Sequence, residues 1–219
     1  EPGWIMAYSN YGFALAGYII ERISGTSFAQ FTDSEFLQPM GMSHSGYLRN
    51  EFIDTQLTSG HQISDGVAAA RPYTYVHRYP PTSMMTSAND MAKFMKTLLG
   101  RGQLNGKTIY SDTLANYIGS THYSVHDAMP GLTMAFMEWN RWGHNILWHD
   151  GSHVGFTAEL FLFPDLNSGF FIAANSQDGN LSGNLKYALL NRYYKPEKLE
   201  ELVGPYAVMS DRGELAGQY

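Results

Sequence analysis

Two short polar stretches, far apart in the 219-residue chain, carry side chains that could do chemistry: Tyr8-Ser9-Asn10 and His149-Asp150-Gly151-Ser152. A tyrosine phenol titrates near pH 10 in water, so Tyr8 acts as a base only where cations favour its anion. The amide of Asn10 both donates and accepts, which suits it to hold a substrate carbonyl. It also suits a helix cap, as does Ser9. The imidazole of His149 can hydrogen-bond a carboxylate or assist proton transfer, with a charge that changes near neutral pH. Read without context, Tyr8 is a buried tyrosine beside a helix cap and His149 a strand-end histidine satisfied by backbone.

Other chemistries find less support. His144, His149 and His153 invite a metal reading, but strand-like residues and Gly151 intervene and no carboxylate cluster accompanies them. No metal and no cofactor is expected. Glu138, Glu159 and Asp165 cannot be sorted into an acid–base pair, and no phosphate-binding loop is present.

The elements that must position these residues follow from periodicity. Phe156 to Phe163 nearly alternates apolar and polar residues, as a half-buried strand does. Turn residues Pro164, Asp165, Asn167 and Gly169 lead into Phe170-Phe171-Ile172-Ala173-Ala174, an apolar run suited to a buried strand. Asn145 to Asp150 reads as a further strand, with His149-Asp150-Gly151 at its end, and Leu132 to Trp139 as another. Gly151 and Gly155 would let a ligand or a backbone approach closely.

Helices are expected over Tyr11–Ser24, with Gly25 as the residue after its end, and over Phe28–Leu37, opened by a Ser27/Gln30 capping box and stopped before Pro39. Leu15, Ile19, Ile20 and Ile23 form the apolar side of the first. The clearest helical pattern runs from Ser87 to Leu99, and shorter ones cover Ser111–Ile118 and Leu181–Tyr193, the last with an apolar side through Leu185 and Leu189. Residues 40–81 read as a long irregular tract, which in a compact domain more often carries function than links parts.

In order and spacing these stretches resemble the serine β-lactamase and penicillin-binding-protein superfamily, nearest its branch of class C β-lactamases, D-aminopeptidases and esterases. Tyr8-Ser9-Asn10 followed by Gly17-Tyr18-Ile19-Ile20-Glu21 matches the second motif and its helix. Pro39-Met40-Gly41-Met42 matches a turn, and Thr86 to Phe94 with Gly102 to Gly106 the long helix and its turn. His149-Asp150-Gly151 with Gly155-Phe156 matches the third motif, usually Lys-Thr-Gly or His-x-Gly. The resemblance spans roughly residues 2–194 and implies an α/β fold, an antiparallel sheet flanked by helices beside a helical, loop-rich region.

It also implies roles. Tyr8 would shuttle the proton of a nucleophilic serine, with Asn10 and His149 as further catalytic residues; Asp150, Gly151 and Ser152 would bind substrate, the Ser152 N–H forming part of an oxyanion hole. Asp150 stands where Thr or Ser is usual, and a carboxylate there would repel an anionic β-lactam. The family's Ser-x-x-Lys nucleophile box is absent: no serine of the chain has Lys three residues on. The expectation is a carboxyl-side portion of a hydrolase acting on a β-lactam, D-amino-acid peptide or ester, its nucleophile and first strands supplied from upstream of residue 1. Alone, the chain should be inactive. The alternative is a non-catalytic binding module for cell-wall peptide or glycan.

Composition bounds the rest. A net charge of −6 argues against nucleic acid, and no apolar run approaches the roughly 20 residues needed to span a bilayer. The chain has no cysteine. A periplasmic or secreted location is expected. Residues 1–203 read as the β-lactamase-like domain and 204–219 as the start of a carboxyl-terminal extension. With its amino-terminal strands missing, the last strand would expose an apolar edge, so a strand-exchanged homodimer or a retained, cleaved upstream fragment is expected as partner.

Overall fold

The computed structural model describes residues 6–74, 80–126, 129–177 and 179–196. The proposed extension from residue 204 lies outside them. The organising element is a four-stranded antiparallel sheet of order β5-β6-β7-β8, made of Met137–Arg141, His144–His153, Phe156–Phe163 and Ser168–Ala174. Two-residue turns make two of its neighbours: Trp142-Gly143 joins β5 to β6, and Val154-Gly155 joins β6 to β7. The sheet is thus a meander, the topology that short sequence separation favours.

Each face of the sheet is covered by one helix. On one face Leu147, Leu160 and Leu162 join Phe136 in a buried cluster that meets Met91, Phe94, Met95 and Leu98 of α5 (Ala88–Leu99). On the other, Ile146, Phe161 and Phe163 bury Leu190 of α7 (Gly179–Tyr193). This is why β7 departs from the half-buried strand expected of it: it is central, buried on both faces from Glu159 to Phe163. Glu159 tolerates burial because Lys186 of α7 meets it at 2.7 Å. The buried line of α7 therefore runs through Lys186 and Leu190, while Leu185, expected to face the sheet, is exposed.

The amino-terminal half builds the other wall. Helix α1 (Asn10–Ser24) is capped by the Ser9 hydroxyl, which accepts from the Gly12 N–H at 3.1 Å, and ends at Gly25 in the left-handed conformation. Its one buried residue is Gly17, where an added Cβ would lie 2.5 Å from Pro80. Of its expected apolar side, Leu15, Ile19 and Ile23 are exposed, Ile23 by 83%, and Ile20 packs inward against Phe28, Ala29 and Tyr47; Tyr11 is exposed as well.

The expected helix to Leu37 does not stop before Pro39. It runs as α2 (Phe28–Thr32), widens into a π-turn at Asp33–Leu37, and continues as α3 (Gln38–Met40). Proline lacks an N–H and crowds the carbonyl one turn back, and a widened turn relieves both. The strand expected over Leu132–Trp139 begins only at Met137, Leu132 making isolated bridges to Tyr123 and Met137.

The tract read as irregular contains α4 (Glu51–Gln56) and a hairpin of β1 (Gly60–Ser64) and β2 (Val67–Arg71). A second small hairpin, β3 (Gln103–Leu104) with β4 (Lys107–Thr108), follows α5, and α6 (Asp112–Gly119) follows that.

One carboxylate ties these parts together. Asp90 of α5 is fully buried, at 0% exposure. It accepts from the His44 N–H at 2.7 Å and the Ser45 hydroxyl at 2.9 Å, and pairs with Lys93 at 2.9 Å. Burial pushes its carboxyl upward, but the bonds from Lys93, His44 and Ser45 outweigh this and hold it below the usual carboxylate range. A carboxyl depressed on folding stabilises the protein above its unfolded value, near 3.9, and loses that contribution as pH falls through the folded value. Asp90→Ala should therefore cost about 2–4 kcal/mol at pH 7, since it strands buried donors. In urea unfolding, the gap between wild type and variant should close on acidification below about pH 4; a gap independent of pH would refute the assignment.

Candidate active site

A cavity of about 1100 Å³ opens where the end of the sheet meets the amino-terminal half. Tyr8, Asn10, His149, Asp150, Gly151 and Ser152, the residues singled out from sequence, all line it.

The floor is a strand edge. Strand β6 pairs with β5 only as far as Met137↔Trp148, but with β7 on to His153↔Phe156. From His149 to His153 one side of its backbone has no strand partner among the described residues and faces the cavity. The triplet thus lies inside β6 rather than at its end, where half the strand's hydrogen-bonding capacity is open to a ligand. Unmet backbone donors and acceptors of this kind accept an extended chain.

The register sorts the side chains. His149 lies opposite Leu160, on the α5 face, and Asp150 opposite Glu159, on the α7 face. His149 is therefore the side chain of the triplet turned toward Tyr8; their rings lie 6.1 Å apart at 43°. The Nδ1 of His149 is 2.7 Å from its neighbour's carbonyl, that of Asp150. A carbonyl only accepts, so Nδ1 carries the proton and the neutral ring presents Nε2 as an acceptor.

Tyr8 is 63% exposed, not buried as the bland reading had it. Ser9, not Asn10, caps α1, so the two readings of Asn10 resolve: its side chain is released from capping.

The walls were not legible as site residues. Met84, Met85 and Thr86 form one side. They are held by paired Gly46–Met85 backbone bonds of 3.0 and 2.9 Å and by the Thr86 hydroxyl, 2.7 Å from Ser45, which Asp90 anchors. Pro80, another wall residue, seats on Gly17 and accepts from the Tyr47 hydroxyl at 3.4 Å; burial raises that phenol to about 12. On the far side Asn175 donates to Ser59 at 3.0 Å and Thr58 at 3.3 Å.

Gly155, at φ +79°, completes the frame: a Cβ there would lie 2.7 Å from the Cα of Gly60. The close approach expected of Gly155 is therefore to backbone, whereas the space beside Gly151 is open. Among the described residues no group of three or more His, Asp or Glu is placed to hold a metal ion.

Residues 1–194 match the Beta-lactamase family. The chain belongs to that family. It is 22% identical over 213 residues to Protein flp of Staphylococcus aureus (strain NCTC 8325 / PS 47), covering 92% of this chain and 37% of that protein. The chain thus spans about two-fifths of the length of the curated relatives it matches.

Among solved structures it resembles the octameric penicillin-binding protein homologue from Pyrococcus abyssi, with TM-score 0.74, 23% identity and coverage of 87% of this chain and 43% of that one. It also resembles a class C β-lactamase from Rhodobacter sphaeroides, with TM-score 0.68, 15% identity and coverage of 84% and 60%. These likenesses establish the β-lactamase/transpeptidase fold anticipated from the motifs.

The tautomer is directly testable. In long-range ¹H–¹⁵N spectra above pH 8, His149 should show a protonated Nδ1 and a bare Nε2. The opposite tautomer would mean that the bond to the Asp150 carbonyl does not hold the ring.

Proposed function

We propose that this chain is part of a serine hydrolase that acts by acyl transfer on an amide or ester, the nucleophile coming from a segment upstream of residue 1. The observation that carries this is the convergence of Tyr8, Asn10 and His149 on the open edge of β6 within one large cavity. In this reading an extended substrate adds to that edge, Asn10 holds its carbonyl, and Tyr8 relays the proton from nucleophile to leaving group. The Ser152 N–H supplies part of the oxyanion site, and Gly151 leaves the space into which the acyl group fits. Among the described lining residues there is no Lys or Arg, and the one formal charge is Asp150. This favours substrates that are uncharged there over an anionic β-lactam.

Two bare surfaces flank the cavity and support a completing segment. One is the apolar stripe of α1, through Tyr11, Leu15, Ile19 and Ile23. The other is the outer edge of β8, which among the described residues pairs with no further strand and carries neither charge nor proline. An upstream portion of the same polypeptide, or a second copy by strand exchange, would cover both.

No helix among the described residues is long and apolar enough to cross a membrane, and a periplasmic or secreted setting is part of the proposal. The second reading, a non-catalytic module that binds cell-wall peptide or glycan, rests on the absence of a Ser-x-x-Lys box from all 219 residues.

Two experiments separate them. The 219-residue chain alone should take no stoichiometric covalent label from a fluorescent penicillin or a fluorophosphonate; labelling of one serine would reveal an unrecognised nucleophile. In the longer protein that contains a Ser-x-x-Lys segment, Tyr8→Phe should lower ester or amide turnover by about 10²–10⁴-fold, the usual range for a general acid–base group, with unfolding unchanged. His149→Ala should cost less. Full turnover in Tyr8→Phe would return the chain to the binding-module reading.

A further inference from the structure

The α7 face of the sheet holds a second concavity, which shares no lining residue with the first. Residues of β5, β6, β7 and α7 line a recess of about 260 Å³ there. Its floor is Trp148 stacked on Phe161, with ring centroids 6.0 Å apart at 7°. Trp139 tilts against the same Phe161 at 6.5 Å, and Lys186 and Tyr187 of α7 form the opposite wall.

Beside the recess Arg141, the last residue of β5, lies against three rings. Its guanidinium carbon is 5.0 Å from the Trp139 centroid, 4.3 Å from Trp142 and 5.9 Å from Tyr187. Two of those rings, Trp139 and Tyr187, line the recess.

Two of the charged residues here are already engaged: Glu138, which also lines the recess, accepts from Thr121, the Gly131 N–H and Asn145. Lys186 is spent on Glu159, 2.7 Å away. Arg141 has no carboxylate within ion-pair reach among the described residues, and its Nε is buried without an acceptor. A guanidinium is a rigid fork of five donors, and stacking on rings fixes its plane without satisfying them.

The turn that carries it is costly. Trp142 and Gly143 have φ of +53° and +80°, a two-residue hairpin turn in which Asn, Asp or Gly is usual at the first place. A bulky residue held there is an outlier. The indole is held by the guanidinium above it and by the Ile146–Phe161–Phe163–Leu190 cluster it packs against. The strained residue and the unmatched cation are thus one unit.

We propose that this recess binds a small carboxylate carried on a planar ring, an aryl or arylalkyl carboxylate, with the carboxylate on the free edge of Arg141 and the ring among Trp139, Trp148 and Tyr187. Each alternative leaves something unmet. A cationic ligand would face Arg141 and Lys186. A neutral ring would leave the guanidinium without an acceptor. A carboxylate meets it bidentately while its ring buries against aromatic walls.

The test uses the 219-residue chain labelled with ¹⁵N at tryptophan, with phenylacetate as the probe and its neutral isostere phenylacetamide as the control. Phenylacetate should shift the indole N–H signals of Trp139 and Trp148 saturably, and phenylacetamide should bind at least tenfold more weakly. Arg141→Gln should weaken phenylacetate at least tenfold, and Arg141→Lys should fall between, having the charge without the fork. The Tyr8→Phe variant should bind phenylacetate as the wild type does, which keeps this site separate from the hydrolase reading. Absence of saturable shifts, equal binding of the amide, or equal shifts from inorganic phosphate would overturn the proposal. Should Arg141→Gln fail to fold, the acid–amide comparison on the unaltered chain still decides.

Discussion

The site depends on an asymmetry in the hydrogen bonding of one strand. A buried sheet strand normally satisfies its backbone on both sides. Strand β6 has β5 on one side from His144 to Trp148 and β7 on the other from Leu147 to His153; past Trp148, because β5 begins at Met137, it keeps a partner on the β7 side alone. Five residues of rigid backbone are left with an open edge at the mouth of a cavity. Rigidity comes from β7, buried on both faces, and from the α5 and α7 helices that clamp the sheet. The open edge is therefore held in place rather than free to fray, which preorganised binding requires.

The opposite wall is held by polar contacts more than by burial. Asp90 links α5 to the His44–Ser45 turn, and Ser45 in turn holds Thr86 on the cavity wall. A buried carboxylate is a strong positioning device because each of its donors loses water and cannot recover it elsewhere in the core. Glu138, the second residue of β5, plays a similar part. Burial raises its carboxyl, but Thr121, the Gly131 N–H and Asn145 together bring it below its ordinary value. Backbone contacts do the rest: Gly155 against Gly60 lets the His61 N–H reach the Asn175 carbonyl at 2.9 Å, fastening the base of the β1–β2 hairpin to the end of β8.

What could be read from sequence followed the range of the forces involved. Caps at Ser9 and Ser27 and the glycine after α1 are decided within four residues and were visible, whereas Ser111, expected inside its helix, caps it instead. The three strands from β6 to β8 were visible because apolar runs and turn residues alternate over short distances. The β1–β2 hairpin was not, because Val67-Ala68-Ala69-Ala70-Arg71 is exposed throughout and has no buried face to impose a period. The buried line of α7 was misplaced because a salt bridge, Lys186 to Glu159, occupies a place where an apolar residue was sought. Tyr8, Asn10 and His149 stood out by motif and spacing, whereas Met85, Thr86 and Asn175 reach the cavity only through long-range contacts that no local pattern records.

The bare stripe of α1 and the open edge of β8 bear on one another. A helix of this kind gains little from its own propensity and is ordinarily held by burying an apolar face. Here one residue, Gly17, is buried; the helix is held by its Ser9 cap, its Gly25 terminus, the Pro80 contact, Ile20 against the Phe28–Ala29–Tyr47 cluster, and the Glu21 carboxylate accepting from the Phe28 N–H at 2.7 Å. The outer side of β8 likewise offers unpaired backbone beside an apolar strand. Each surface wants the kind of element that it lacks, a helix face for α1 and a strand for β8. One segment with an extended part and a helical part would satisfy both, and a helix lying along Tyr11 and Leu15 would bring its own residues close to Tyr8. Under the proposed function, the segment that covers these surfaces would be the one that carries the nucleophile to the cavity lined by Tyr8, Asn10 and the edge of β6.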